Sequence, residues 1–524
     1  MYKGHMNQLK TDQQLPCDNA RRARLPAALM TTCGILWLAL FPLANDGTYT
    51  HITRTKWLFT LGFAALTLVL TSAAAIIARR QRDADAARRP VKLNPALVCG
   101  GVYFLWVALS AVFGAYAGLR NADGQLTVWS GAVRYEGLVT HLAYGAVFFC
   151  LAAGRGSHRV VTVAAGAALA VFVGIIALQY AGLNPLGLFP AGLSVRTNYE
   201  FQGTIGNIDM VNGYLSLAVP LLCAPFLTEG VSKTRLALLA AGLAGVLAQL
   251  MIEVQAGYIA IAAGALLVVW LVLTRPETRV RGLGFGALLC GLALIRMAID
   301  LPWLDGSETV CLTLRRGRWL ALFGGLTAAL ALLAWCAARF PGHRRLALKP
   351  RTAWLLLLGL LALALLLVLL LPVGQRYGGL WEMREVLYGR AQDSYGSWRI
   401  GAWRHTLAMA AEHPLFGGGP DTFMSALEGR LAQTGSYLGE HFDNPHNLYL
   451  GILFSNGFPA LMAYLAMLFL LLRRCARDGS ARSLALGATI VCYSAQAFFS
   501  FSICLVAPMA WCVMGMAAED AGRA

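Results

Sequence analysis

The sequence predicts an all-α integral membrane protein: a polytopic bundle of about 12–14 transmembrane helices with one large extracytoplasmic loop. Three observations predict it. The 524 residues are 58% hydrophobic and only 13% charged, with mean hydropathy +0.60, a balance foreign to soluble globular chains. Apolar runs recur that are long enough to cross a hydrocarbon layer about 30 Å thick. The 43 Lys and Arg behind the net charge of +17 gather in alternate loops, as cytoplasmic loops do.

Taken in order, spans are expected near 26–44, 57–78, 94–115, 138–153, 159–182, 209–227, 235–252, 256–274, 282–298, 319–338, 352–373, 447–472, 484–501 and 503–517. The span at 138–153 is short, and the last two read either as two helices or as one segment kinked around Pro508. The chain then divides into a cytoplasmic tail (1–25), eleven spans (26–373), an outer loop (374–446), the C-terminal spans (447–517) and a second cytoplasmic tail (518–524). The densest basic stretches, "RRQRDADAARRPVK" (79–92) and "RFPGHRRLALKPR" (339–351), fall on the inner side. No cleavable signal peptide is expected, because a long polar stretch precedes the first apolar run and no small-residue cleavage site follows it.

This pattern narrows the function classes. The positive charge follows from topology and from attraction to anionic lipid, and no soluble domain exists to carry nucleic-acid binding. The 12 cysteines form no CxxC pair and are absent from the outer loop, which speaks against disulfides and Cys-ligated metal. Ionisable residues at membrane depth are few: His141, Asp209, Glu253 and Arg296. An ion-coupled transporter or flippase would carry more of them, in matching halves of a repeat. A scaffold whose outer loop merely binds glycan is a further class.

Chemistry-bearing residues concentrate in the outer loop instead. "SWRIGAWRHTLAMAAEHPLFGGGPDTF" (397–423) places Ile400, Trp403, Leu407 and Ala410 or Ala411 on one helical face, with Arg399, Arg404 and His405 off it. The Pro and Gly of "HPLFGGGP" end that helix. Such a helix either lies in the interface, anchored by Trp and Arg, or presents its arginines to a ligand. In "DNPHNLYL", Asn444 suits an N-cap, Pro445 the first helical position and His446 the first turn. The positive end of the helix dipole disfavours imidazolium, so His446 is expected neutral near pH 7. A neutral imidazole there is a usable general base, and free N–H groups at the same place can hold a phosphate. The alternative is a histidine that only caps or anchors.

These residues resemble the bacterial O-antigen ligase and O-antigen polymerase superfamily of membrane glycosyltransferases. "PHNLYLGILFSNGFPAL" (445–461) is similar to its signature, a His-Asn pair with a Gly further along. "SWRIGAWRHTLAMAAEHPLFGGGPDTF" is similar to the stretch upstream, with Arg399 before Trp403 and then Gly418, Gly419, Pro420, Asp421 and Phe423. "GTIGNIDMVNGYLSLAVPLL" (203–222) resembles an earlier Gly-x-x-Gly-Asn motif. There are two departures. The family usually has Asn-Pro-Asn where this chain has Asn207, Ile208 and Asp209, and a Ser-Arg pair where it has Gln255 and Ala256.

The resemblance implies a GT-C-like bundle in a bacterial cytoplasmic membrane, multi-pass, with both termini cytoplasmic. It implies a glycan donor on undecaprenyl diphosphate and an acceptor hydroxyl on the lipid A core, a cell-wall polymer or another glycan. The transfer inverts the anomeric centre and expels the lipid diphosphate. A repeat-unit polymerase and a protein O-oligosaccharyltransferase belong to the same superfamily and differ in acceptor. His446 is then the base and Arg399 a diphosphate ligand, since a guanidinium fork pairs with phosphate oxygens bidentately. In place of the missing family arginine, Arg134, Arg196 and Arg404 are candidates. Asn447, Asn207, Gln255 and Asp421 take orienting roles, while Glu440 and Asp443 are structural or orient the histidine. Neither metal nor cofactor is expected.

Overall fold

A computed structural model describes residues 24–80, 94–132, 134–189, 202–298, 317–340, 347–370 and 379–519. The described chain is helical, with only an isolated bridge between Arg120 and Leu126. Every expected span corresponds to a helix. These are α1 (Arg24–Leu43), α2 (Ile52–Arg80), α3 (Pro95–Phe113), α4 (Leu138–Ala153), α5 (His158–Tyr180), α6 (Ile208–Glu229) and α7 (Lys233–Ile252). They continue with α8 (Gln255–Thr274), α9 (Arg279–Ala298), α10 (Gly317–Arg339) and α11 (Pro350–Leu370). Three shorter helices follow: α12 (Gly379–Leu387), α13 (Arg399–Glu412) and α14 (Phe423–Thr434). The chain ends with α15 (Leu448–Asp478), α16 (Ala481–Ala497) and α17 (Ala507–Ala518). Eleven of the described helices are long and apolar enough to cross a membrane. The basic stretch 79–92 lies mostly, and 339–351 partly, outside the described residues.

Helix starts follow from side chains that accept orphan backbone N–H groups. Asn94, Ser157, Asn207, Ser232 and Ser480 cap α3, α5, α6, α7 and α16. The last two membrane helices are separate: residues 498–506 leave the helix and Pro508 sits in the first turn of α17, so the chain is not one kinked segment there.

The core explains why α17 is short. Every residue of this helix is buried, and Trp511 packs among Tyr103, Phe104, Phe148 and Tyr464 with ring centroids 4.8 to 5.9 Å apart. A helix walled by protein need not match the thickness of lipid. At the rim, α10 and α11 turn leucines such as Leu332, Leu355 and Leu370 outward, as lipid-facing helices do. In this way α3, α4, α6, α15, α16 and α17 pack together, and one end of them carries the 379–446 region.

The 379–446 region is a folded cap. Its helices α13 and α14 bury Ala402, Met409, Phe423, Ala426 and Leu427 together with Phe442 and, from α15, Phe454. The apolar stripe differs from the expected one. Gly401, Ala402, Thr406, Met409 and Ala410 face inward on α13, while Leu407 is half exposed. Small residues let α13 approach α15 closely, so the bulkier Ile400 and Leu407 are displaced from the contact.

Candidate active site

The cap is docked through backbone. Helix α15 is interrupted at Gly457 (φ 79°, ψ 175°), which frees carbonyls that an unbroken helix would use. The Phe454 and Ser455 carbonyls accept from the Gly418 and Gly419 N–H at 2.7 and 2.9 Å, and Phe458 N–H donates to the Pro414 carbonyl at 2.8 Å. On the other side, Ala115 and Tyr116 N–H donate to the Gly417 and Gly418 carbonyls at 3.0 and 2.9 Å. Two glycines are indispensable to this packing. A Cβ on Gly417 would lie 2.3 Å from the Phe454 oxygen, and one on Gly457 would lie 2.3 Å from the Leu415 oxygen.

Directly after this turn, Asp421 adopts a left-handed backbone (φ 57°). Its Oδ2 accepts from Ala132 N–H at 2.7 Å and Glu136 N–H at 3.2 Å. Burial nonetheless raises its carboxyl to about 6. Asp421 thereby ties the backbone at Ala132 and Glu136, on either side of Arg134, to the cap.

Arg134 forks onto both carboxylate oxygens of Asp443, its Nε donating to Oδ2 at 2.5 Å. Its guanidinium lies 3.9 Å from the ring centre of Phe501, a residue of the 498–506 connection. The His446 ring meets the same Phe501 edge-to-face at 5.0 Å, and Phe442 at 5.6 Å. Asn444 links these elements: its Nδ2 donates to Asp443 Oδ1 at 2.7 Å and its Oδ1 accepts from His446 N–H at 2.8 Å. Trp403 on α13 donates its indole N–H to the Pro445 carbonyl at 2.8 Å.

The start of α15 corrects the sequence expectation. Asn447, not Asn444, is the N-cap, accepting from Tyr449 and Leu450 N–H at 3.0 Å each. His446 therefore precedes the helix in a left-handed conformation (φ 47°), rather than occupying its first turn. Asn444 closes a local turn over Pro445 instead. Asn447, expected to orient the histidine, has its side-chain oxygen taken up in capping α15.

The His446 imidazole is held neutral by its surroundings. Burial lowers its pKa to about 4, the guanidinium groups of Arg399 and Arg134 push the same way, and Asp443 opposes them. Its Nδ1 is buried and without a hydrogen-bond partner among the described residues. Arg399 opens α13 and, among the described residues, pairs with no carboxylate. Nearby Glu136 accepts from Tyr144 O–H at 2.6 Å and Cys504 N–H at 2.7 Å, and burial holds its carboxyl well above the usual carboxylate range.

Several candidates lie apart from this group. Arg404 pairs with Asp393 at 2.5 Å and with the Ala391 carbonyl at 2.7 Å on an exposed flank. It is committed to organising the cap, which weakens it as a diphosphate ligand. Asn207 is the cap of α6, its side-chain oxygen taken by Asp209 and Met210 N–H. Gln255 is exposed at the start of α8; no hydrogen bond ties either residue to His446. Arg196 lies outside the described residues.

At the α7–α8 turn, where the family arginine is missing, the side chain of Arg296 arrives from α9. It pairs with Glu253 at 2.7 Å and donates to the Leu250 carbonyl at 3.2 Å. Two of the four ionisable residues expected at membrane depth, Glu253 and Arg296, are thus partners, as buried charges must be. Sequence reasoning missed Phe501 and left open what Asp443 does. Phe501 sits in the apolar stretch "AFFSFSICLV" and carries no signal of its own. Asp443 shows its task only when the 132–136 segment comes alongside. Among the described residues, no three His, Cys, Asp or Glu side chains converge to hold a metal ion.

No curated protein matches the chain. The model of the O-antigen ligase family matches residues 307–465, a stretch that holds Arg399, Asp421, Asp443 and His446, and this match supports placing the chain in the O-antigen ligase/polymerase superfamily.

Proposed function

We propose that this protein is an O-antigen ligase-like glycosyltransferase. It moves a glycan from undecaprenyl diphosphate to an acceptor hydroxyl at the outer face of the cytoplasmic membrane, with inversion and without a metal. The observation that supports this reading best is one neutral imidazole, with a buried unpartnered nitrogen, beside an arginine that no described carboxylate neutralises.

In this reading Arg399 receives the diphosphate, and Arg134 can follow if the anion displaces Asp443. The acceptor hydroxyl gives its proton to the His446 ring and its oxygen attacks the anomeric carbon. The bond from that carbon to the diphosphate oxygen breaks on the opposite face, and the lipid diphosphate departs with the electron pair. The leaving group is a stabilised anion, so guanidinium charge meets its need. Donor binding also neutralises the cations that hold His446 low, so the base strengthens once the anion is in place. The buried Glu253 and Arg296 pair with each other, and ionisable groups at membrane depth are few, which favours a transferase over a transporter.

The test is purified protein with undecaprenyl-diphosphate glycan and a panel of glycan, lipid-glycan and protein acceptors, with released lipid diphosphate as the readout. Transfer that persists in chelator, disappears in His446→Ala and depends on one acceptor class supports the proposal. Release that survives in His446→Ala refutes the assigned base, and transfer to a growing repeat unit or a protein hydroxyl moves the protein to the polymerase or protein-glycosylating branch.

A further inference from the structure

We propose that the end of the bundle opposite His446 holds an anionic phospholipid, its hydrocarbon chain in an apolar cavity and its phosphate on Arg275 and Arg281. Helices α6, α8 and α15 run from the His446 end to this one, and α16 runs back. Between them lies a cavity of about 370 Å³ that reaches from Leu215 and Val246 at mid-depth to Leu227, Leu271 and Ala476 at the far end. Its size suits a small ligand.

The walls are hydrocarbon in character because the few polar side chains satisfy one another. Gln249 donates to Ser216, which donates to the Asn212 carbonyl. Thr228 donates to the Ala224 carbonyl, and Ser483 to Asp478. Trp270 is the exception: its indole N–H is buried without a partner among the described residues, a donor suited to a lipid ester carbonyl.

The cavity's far end is cationic. Arg275 donates to the Gly479 carbonyl at 3.3 Å, and Arg281 to the Leu227 carbonyl, itself at the cavity wall, at 3.0 Å. Among the described residues neither has a carboxylate partner. The carboxylates nearby are otherwise placed: Glu229 pairs with Arg235 at 2.7 Å, Asp478 accepts from Ser480 and Ser483, and Glu277 is exposed. Each guanidinium keeps N–H groups beyond those given to the helix ends. Two such forks above an apolar slot match an anionic headgroup above its chain, and match a zwitterionic lipid poorly.

The experiment measures lipid retention by the purified full-length protein in native mass spectrometry, after exposure to phosphatidylglycerol or to phosphatidylcholine of the same chains. The wild type retains phosphatidylglycerol preferentially. Each arginine contributes roughly fivefold, so Arg275→Gln with Arg281→Gln lowers retention about 25-fold. Arg275→Lys keeps the charge and most of the retention. Ala265→Phe, at the cavity wall, blocks the chain with both arginines intact and lowers retention as well. Equal retention of the two lipids by the wild type, unchanged retention in both the arginine and the Ala265 variants, or occupation by undecaprenyl diphosphate instead would each overturn the proposal.

Discussion

At the residue scale, His446 acts through its neutral form, and the sign of its pH dependence follows. Its folded-state pKa is depressed to about 4, so the base stays available above that value and is lost by protonation only below it. kcat/KM, which reports the free enzyme's groups, is expected level from neutrality to about pH 5 and to fall near pH 4. Asp421, raised to about 6, titrates in the same window. Asp421→Asn should leave the lower limb in place, whereas an acid limb near 6.5 in the wild type would mean that the imidazole is not held down by burial and its two arginines. His446→Ala should cost about 10²–10⁴-fold in rate with normal membrane insertion, because the residue precedes α15 and is not packed within it. Arg399→Lys keeps a charge but loses the planar fork; a fall of about tenfold or more in kcat/KM for the diphosphate donor is expected, and wild-type kinetics would remove Arg399 from the site. Both residues were candidates from the sequence, His446 from its place just before an apolar span and Arg399 from the family resemblance. Arg134 was one candidate among three, and its selection required the fold: Asp421 and Asp443, hundreds of residues away, hold it beside His446.

At the element scale, the unit that matters is the junction of α15 with the 414–419 turn. Its hydrogen bonds exist because Gly457 breaks α15 and Gly417 admits the opposing backbone. The sequence announced a glycine-rich turn that stops α13 and a glycine within α15, but not that each exists for the other, since pairing between backbone groups leaves no side-chain pattern. For the same reason the cap of α15 was misplaced by three residues: "DNPHN" offers two asparagines, and only the Asp443–Asn444–His446 hydrogen bonds decide between them. Gly457→Ala meets both a left-handed backbone and the Leu415 oxygen, a strain of about 1–3 kcal/mol. That cost falls on the docking of the cap while the membrane helices stay assembled. Limited proteolysis should therefore cleave the 379–446 region of the variant faster than that of the wild type, with unchanged helical content. Equal cleavage rates would show that the junction does not hold the cap.

At the scale of the whole molecule, the periodicity of apolar runs located every membrane helix, because each must be apolar over its length whatever its neighbours are. It did not distinguish helices that face lipid from those inside. Helix α17 is less apolar than α11, yet Trp511 and its neighbours make it the centre of the bundle while Leu355 and Leu370 of α11 point outward. Orientation is likewise a property of the whole chain. The arginines that end α2, α10 and α15 lie at the end of the bundle away from His446, and the bias of Lys and Arg toward the cytoplasm then predicts that the cap faces outward. A donor carried on a lipid whose sugars lie outside the membrane demands the same arrangement. Single cysteines at exposed cap positions test it: Tyr437→Cys, on a residue 76% exposed, should react with a membrane-impermeant thiol reagent in intact spheroplasts. Arg477→Cys, at the opposite end of α15, should react only after the membrane is opened. The described cysteines are buried or half-buried, and the test is run in a Cys17→Ser, Cys311→Ser background, since these two lie outside the described residues. If Arg477→Cys is labelled in closed spheroplasts and Tyr437→Cys is not, His446 lies on the cytosolic side, and a transferase working on an externally displayed glycan is ruled out, however well its imidazole and arginines are disposed.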